Sequence, residues 1–280
     1  MFWIRLLSGA VLLIVAAVSF FIGAPVLPIV LFLISMVGYR ELVKALGVSG
    51  SVEGKNSFTT PEILGYAGIV IYYLLELLVD MANLQRGAFF FWAWMCLVAL
   101  FLAEMFVYVI AFPKYRAEQI AFSLFSFLYA PVMLSFIDFT RMSSNGSFTV
   151  WLILICSWGC DTCAYCVGKL FGKKKIFPSL SPKKSLEGCI GGVVGAALLG
   201  MAYSRFITDP TPKKTVAFGL ICALGAVVSM LGDLAASAIK RNKGIKDYGK
   251  LIPGHGGIMD RFDSVIVTAP LVYFLSVILI

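Results

Sequence analysis

Charge is scarce in this chain. Of 280 residues, 14% are charged and 60% are hydrophobic, and the mean hydropathy is +0.93. A soluble domain of this size would precipitate with so much apolar surface, so the composition requires an integral membrane protein. Histidine is rarer still, His255 being the single one. Cysteine is odd in number, seven in all, which argues against a complete disulfide framework. Four of the seven, Cys156, Cys160, Cys163 and Cys166, are spaced like a metal run. On one continuous helix they would line a stripe rather than converge on a point, so they are expected to be small buried thiols. Paired segments in two halves of the chain, as secondary transporters often show, are also missing. Glycines concentrate after residue 160, as do the aspartates that stand out in apolar runs, and the first half is expected to offer no counterpart.

What is present is a series of apolar runs that predicts an all-α polytopic helical membrane protein with about nine transmembrane helices. Their approximate bounds are 3–23, 26–38, 61–79, 88–111, 117–138, 148–167, 187–206, 215–238 and 259–280, the second helix continuing through Lys44. Pro25 stands where a signal-peptidase site needs another residue, so the first run is kept as an anchor. In the seventh run, Gly188 and Gly192, and likewise Gly191 and Gly195, have the four-residue spacing that lets helices approach closely. The chain is expected to divide into residues 1–140, membrane helices that form a lipid-side scaffold, and residues 141–280, membrane helices with the more polar loops.

The formal charge of +8 arises from 23 Lys and Arg against 15 acids. With nine spans, all of these cations except Arg86, Arg141, Arg205, Lys213 and Lys214 fall on one side. The positive-inside rule makes that side cytoplasmic, with the N-terminus inside and the C-terminus outside. The basic excess is therefore a topology signal, and nucleic acid is not an expected partner.

The polar residues gather in one place, between Ser237 and Asp263. This stretch carries the single histidine and a Pro253-Gly254-His255-Gly256-Gly257 turn just before a helix. Glycine amides and outward-facing helix N-terminal amides favour an anion. Asp260 and Asp263, three residues apart, share one helical face. Asp161 and Asp233 lie in other apolar runs, toward the same cytoplasmic side. Carboxylates at such depth are costly unless paired or bound to an ion. Two or three of them around water and phosphate oxygens is how magnesium is held. Lys183, Lys184 and Ser185, followed by Glu187 at a helix start, are placed to reach a phosphate, and His255 reads as a turn residue or phosphate donor.

These residues resemble a known family. Ser237-x-x-Lys240-Arg241, Lys246-Asp247, Pro253-x-His255-Gly256-Gly257 and Asp260-Arg261-x-Asp263 are similar to the signature of the phosphatidate cytidylyltransferases, or CDP-diacylglycerol synthases. Asp161-x-x-Ala164-Tyr165-x-x-Gly168, Ser181-Pro-Lys-Lys-Ser185 and Gly232-Asp233 extend the likeness, with Ser185 where threonine is more usual. The resemblance implies transfer of cytidylyl from CTP to phosphatidate, dependence on magnesium with a second cation left open, and a homodimer, while the charge bias puts the site on the cytoplasmic face and the compact chain is expected in a bacterial inner membrane. Asp233 and Asp260 would ligate metal, with Asp161 and Asp263 near the same centre. Lys240, Arg241, Lys246 and Arg261 would hold phosphates. The alternative is a CTP-dependent polyprenol or lipid kinase, for which a hydroxyl acceptor would call for a general base. The Asp-Gly-x-x-Ala-Arg pattern of CDP-alcohol phosphotransferases is missing.

Overall fold

The computed structural model describes residues 2–52, 55–81, 86–178, 180–206, 211–254 and 256–280. Helices dominate: α1 (Phe2–Ile22), α2 (Val26–Leu46), α3 (Thr60–Met81), α4 (Arg86–Ile110), α5 (Ala117–Arg141), α6 (Gly146–Phe171), α7 (Leu186–Phe206), α8 (Pro212–Asn242) and α9 (Met259–Leu279). Among the described residues α2 to α9 are long and apolar enough to cross a membrane, and α1 is 21 residues long with an apolar stretch Leu7–Ile22. The chain is an all-α polytopic membrane protein. Its one strand pair among the described residues, β1 (Gly50–Val52) and β2 (Lys55–Ser57), lies antiparallel between α2 and α3.

The chain forms two compact units, Met1–Ser135 with Asp247–Met259, and Phe136–Lys246 with Asp260–Ile280. In the first, helices meet through aromatic residues with polar tips. Tyr39 hydrogen-bonds Ser123 at 2.9 Å, Tyr72 bonds Ser135 at 2.9 Å, and Tyr73 bonds Ser35 at 2.8 Å, all buried. Inside a bilayer, apolar burial gives no net attraction between helices, so packing and hydrogen bonds of this kind hold them. Gly65 leaves room for the Tyr39 ring. The unit also buries Glu62, Glu76 and Glu104, the last accepting a 2.6 Å bond from Ser123. This corrects the expectation that the first half offers no counterpart to the acids of the second. Their neighbours are hydroxyls and aromatic rings from distant turns, which no local pattern announces.

The second unit is joined by small residues. Gly188 and Gly192 of α7 sit against Ala164 and Cys160 of α6, and Gly191 and Gly195 sit against Val167 and Cys163. The four-residue spacing thus serves the close approach predicted from it. Gly200 packs on Cys222, Gly225 on Cys156, and Gly232 on Val267, extending the same device to α8 and α9. Cys156 and Cys160 are buried as expected; Cys163 is half-buried and Cys166 exposed, which corrects the reading of four buried thiols. The stripe they form winds from the α8 side of α6 to its outer side. A π-helical turn at Ile155–Gly159 interrupts α6 just before Asp161. Each extra residue in a helical turn rotates the rest of the helix by about 100°. The α6 face that carries Asp161 therefore departs from the one an unbroken helix would present.

Candidate active site

The end of α6, the loop after it and the first turn of α7 form one piece. Ser185 caps α7, its hydroxyl accepting from the Gly188 amide at 3.2 Å. Glu187 reaches back so that its carboxylate accepts from the amides of Lys173 at 3.0 Å and Lys174 at 3.3 Å. The Leu186 amide donates to the Lys174 carbonyl at 2.8 Å, and Lys175 Nζ donates to the Lys183 carbonyl at 3.1 Å. These bonds fold the lysine-rich segment onto the head of α7. Lys183 and Lys184 project from its return limb.

Lys184 forms an ion pair with Asp233 of α8. About two turns further along α8, Lys240 pairs with Asp260 of α9 at 2.8 Å, the Asp260 side chain being 4% exposed. Asp263, one turn beyond Asp260, is buried and accepts from the Ser264 amide at 2.7 Å. Asp161 of α6 lies within electrostatic reach of Lys184, Asp233 and Arg261. Asp263 lies within reach of Asp233, Lys240 and Asp161. Four aspartates from three helices thus share one region with Lys184, Lys240 and Arg261. Trp158 and Phe262 meet edge to face beside it, ring centroids 6.4 Å apart. Ser237 and Arg241 follow Asp233 on α8 at four-residue spacing, which keeps all three on one side of that helix, and Arg241 is exposed. Lys246 is exposed at the end of this unit.

Asp247, Gly256 and Gly257 belong to the other unit, and His255 lies outside the described residues. Ile252 and Gly256 exchange backbone hydrogen bonds of 2.8 and 3.1 Å, closing a turn in which Gly254 and Gly256 have φ of 77° and 91°. Only glycine adopts such angles readily. Glu41 of α2, 8% exposed, then accepts from the amides of Ile258 at 3.1 Å and Met259 at 2.8 Å. Gly249 and Gly257 leave space for its carboxylate. The sequence predicts outward-facing amides here that attract an anion. An anion does hold them, and it is the protein's own side chain, separated by more than 200 residues of chain. Sequence reasoning missed Glu41. Its one visible signal was an acid on an apolar helix, the same signal that singled out Asp161.

Among the described residues no group of three or more His, Cys, Asp or Glu side chains is arranged to hold one ion. The donor set offered by Asp161, Asp233 and Asp263 is nonetheless all hard oxygen, and magnesium usually keeps several waters and takes only one or two carboxylates. In donor chemistry, though not in any arrangement shown here, the carboxylates suit that ion.

Fold and site together define a membrane-embedded enzyme-like class, helical bundles with a carboxylate and cation centre suited to phosphate chemistry. The family model described as the cytidylyltransferase family matches residues 3–279. The chain belongs to that family. A phosphatidate cytidylyltransferase of Staphylococcus saprophyticus is 29% identical over 278 residues, covering 98% of each protein. One from Bacillus subtilis is 39% identical over 140 residues, 50% of this chain and 51% of that protein. Another from Synechocystis is 44% identical over 136 residues, 49% of this chain and 45% of that protein. The last two alignments thus span about half the length of those relatives.

Proposed function

We propose that this protein transfers the cytidylyl group of CTP to phosphatidate, releasing pyrophosphate and forming CDP-diacylglycerol for phospholipid synthesis. The observation that carries the reading is the gathering of Asp161, Asp233, Asp260 and Asp263 with Lys184, Lys240 and Arg261 at one place in a cytidylyltransferase-family chain. A phosphate oxygen of phosphatidate forms a bond to the α-phosphorus of CTP. The bond from that phosphorus to the bridging oxygen breaks, and pyrophosphate leaves with that oxygen and its electron pair. The nucleophile is already an anion, so no side chain has to take a proton from it. What the protein must supply is alignment of two highly charged phosphates and relief of their repulsion.

Lys184, Lys240 and Arg261 supply positive charge beside the reacting phosphates, with Lys183, Ser185, Ser237, Arg241 and Lys246 binding their outer oxygens. Asp233 and Asp260 orient the lysines until substrate arrives. By the resemblance, Asp247, His255, Gly256 and Gly257 are further residues for the nucleotide. Magnesium, held by Asp233 and Asp260 with Asp161 and Asp263 nearby, would neutralise phosphate charge. The cation bias of the loops supports a site facing the cytoplasm of the inner membrane, where CTP is found. A homodimer follows from the resemblance.

The test is pyrophosphate release by protein purified in detergent and supplied with CTP and phosphatidate, with and without magnesium. Release is expected to need both substrates and the metal, to vanish in Asp260→Ala, and to fall much less in His255→Ala. CDP formed with an alcohol acceptor, and no pyrophosphate, would replace this reading with the lipid kinase.

A further inference from the structure

A cavity of about 440 Å³ opens beside the carboxylate centre, lined in part by Lys169, Lys175, Lys183 and Lys184 together with Asp161 and Ser185. Of the four lysines, only Lys184 has a carboxylate within ion-pair distance among the described residues, that of Asp233. It also lies within electrostatic reach of Asp161, and its side chain is 19% exposed, low for a lysine outside a helix. Lys184 does not stand on a rigid element. It belongs to an irregular limb and carries its ammonium on a flexible four-carbon stem, so its place is only as fixed as the backbone beneath it.

That backbone is held in a chain of contacts. The return limb, residues 181–185, hangs on the outgoing limb, residues 172–176. Lys175 and Ser185 form an antiparallel bridge, the Ile176 amide donates to the Lys184 carbonyl at 3.4 Å, and Lys175 Nζ donates to the Lys183 carbonyl at 3.1 Å. The outgoing limb leaves α6 at Gly172, whose amide donates to the Gly168 carbonyl at 3.0 Å. Past that point Glu187 takes over, its carboxylate accepting from the amides of Lys173 at 3.0 Å and Lys174 at 3.3 Å. Glu187 is itself fixed, because it sits in the first turn of α7, and Gly188 and Gly192 seat that helix on α6. Five lysines within residues 173–184 repel one another across the two limbs, so their closure needs a tie. The Glu187 carboxylate is that tie, and Lys184 is what the closed limbs place beside Asp233.

We infer that Glu187 is a positioning residue for the cytidylyl transfer, tying down the limbs that set the Lys184 ammonium against Asp233 and Asp161. The inference rests on the proposed function for the reaction, while the placing of Lys184 can be read without turnover. A plain helix-terminal acid would instead stabilise α7 through its charge alone. The two roles differ in which replacement works. Glutamine keeps the length and an acceptor oxygen for the amides; aspartate keeps the charge and is one methylene too short to reach them.

The experiment compares the wild type with Glu187→Ala, Glu187→Gln and Glu187→Asp, all purified in detergent. Brief acetylation with an amine-reactive ester is read lysine by lysine by mass spectrometry, with exposed Lys213 as the reference, and kcat/KM is measured by pyrophosphate release. Lys184 should pass from 19% exposed toward full exposure in Glu187→Ala, so its labelling should rise about fivefold. The loss of one well-placed charge-assisted contact should lower kcat/KM about tenfold. Glu187→Gln should keep more of both properties than Glu187→Asp. In a Lys184→Gln background, Glu187→Ala should cost less than about twofold more, because both changes remove the same contact. Unchanged labelling of Lys184 in Glu187→Ala would overturn the inference. Raised labelling with turnover intact, or a further tenfold loss in the Lys184→Gln background, would deny Glu187 a part in the reaction through Lys184. Aspartate outperforming glutamine would make Glu187 a helix-terminal charge and overturn it as well. Where Glu187→Ala does not fold, the order of Gln and Asp decides. If the wild type releases no pyrophosphate, the proposed function fails, and the labelling still decides whether Glu187 places Lys184.

Discussion

Asp260 and Lys240 show how the site stores charge. Both side chains are largely out of solvent, 4% and 15% exposed, and each neutralises the other at 2.8 Å. Removing one partner of such a pair leaves the other desolvated and uncompensated, at a cost of about 3–5 kcal/mol, whereas removing both is far milder. Lys240→Met should therefore lower the thermal midpoint in detergent by more than the Lys240→Met/Asp260→Asn double variant does. Neither variant should release pyrophosphate, because the pair does more than hold helices together. If the double variant regained turnover along with stability, the pair would be structural and the proposed centre would have to be drawn without it. Lys184 and Asp233 repeat the arrangement on the α6–α7 side, with Asp233 31% exposed and so better able to exchange its lysine for a substrate's counter-ion.

At the scale of elements, two devices fix where these side chains stand. The first is the glycine seam of α7. A Cβ on Gly188 would lie 2.9 Å from the Ala164 carbonyl oxygen, a backbone atom that can yield only if α6 and α7 part. At Gly159 the nearest atom would be 3.6 Å away, ordinary contact with a Leu199 methyl. Gly188→Ala should cost about 1–3 kcal/mol of stability and lower activity, while Gly159→Ala should leave both near wild type. Thermal melts with parallel pyrophosphate assays check the contrast, and equal effects would refute the seam as the positioning device. The second device is Glu41, which caps α9 from α2 and so fixes the residue just before Asp260. Glu41→Ala strands two buried amides and should destabilise by about 2 kcal/mol or more. Glu41→Gln keeps one acceptor and should fall between. As a positioning residue, Glu41 should lower kcat with little change in either KM.

The elements themselves were legible in the sequence to a large degree. Among the described residues nine apolar runs became nine helices, because a membrane span must satisfy its backbone internally and a helix is the way a single run does so. The acids of α6, α8 and α9 and the return limb at Lys183–Ser185 were legible as well, since charge stands out against a hydrocarbon background. Three things were not. The π-helical turn ahead of Asp161 has no residue pattern of its own. The Glu41 cap depends on backbone amides far along the chain. That Lys169 and Lys175 have no acidic partner among the described residues emerges only when the loop is folded back by Glu187, so in the sequence they are two more positive-inside lysines.

For the whole molecule, orientation decides whether the site can meet its nucleotide. The lysines of the α6–α7 loop and the cations at the end of α8 lie on the face read as cytoplasmic, and Lys213 and Lys214, at the start of α8, lie on the other. Membrane insertion follows the Lys and Arg balance of short loops, and here that balance is strongly one-sided. Single cysteines at Lys174 and Lys213, in a protein whose seven native cysteines are replaced, test it directly. A membrane-impermeant maleimide should label Lys213→Cys in intact spheroplasts and Lys174→Cys only after the membrane is opened. The α7 helix separates the two positions, and at 21 residues it is long enough to cross the core with some tilt. Labelling of both from one side would mean that α7 does not span. The reverse order would put the lysine cavity and the aspartates on the side without CTP, and a nucleotidyl transfer built on them would then be untenable whatever the family.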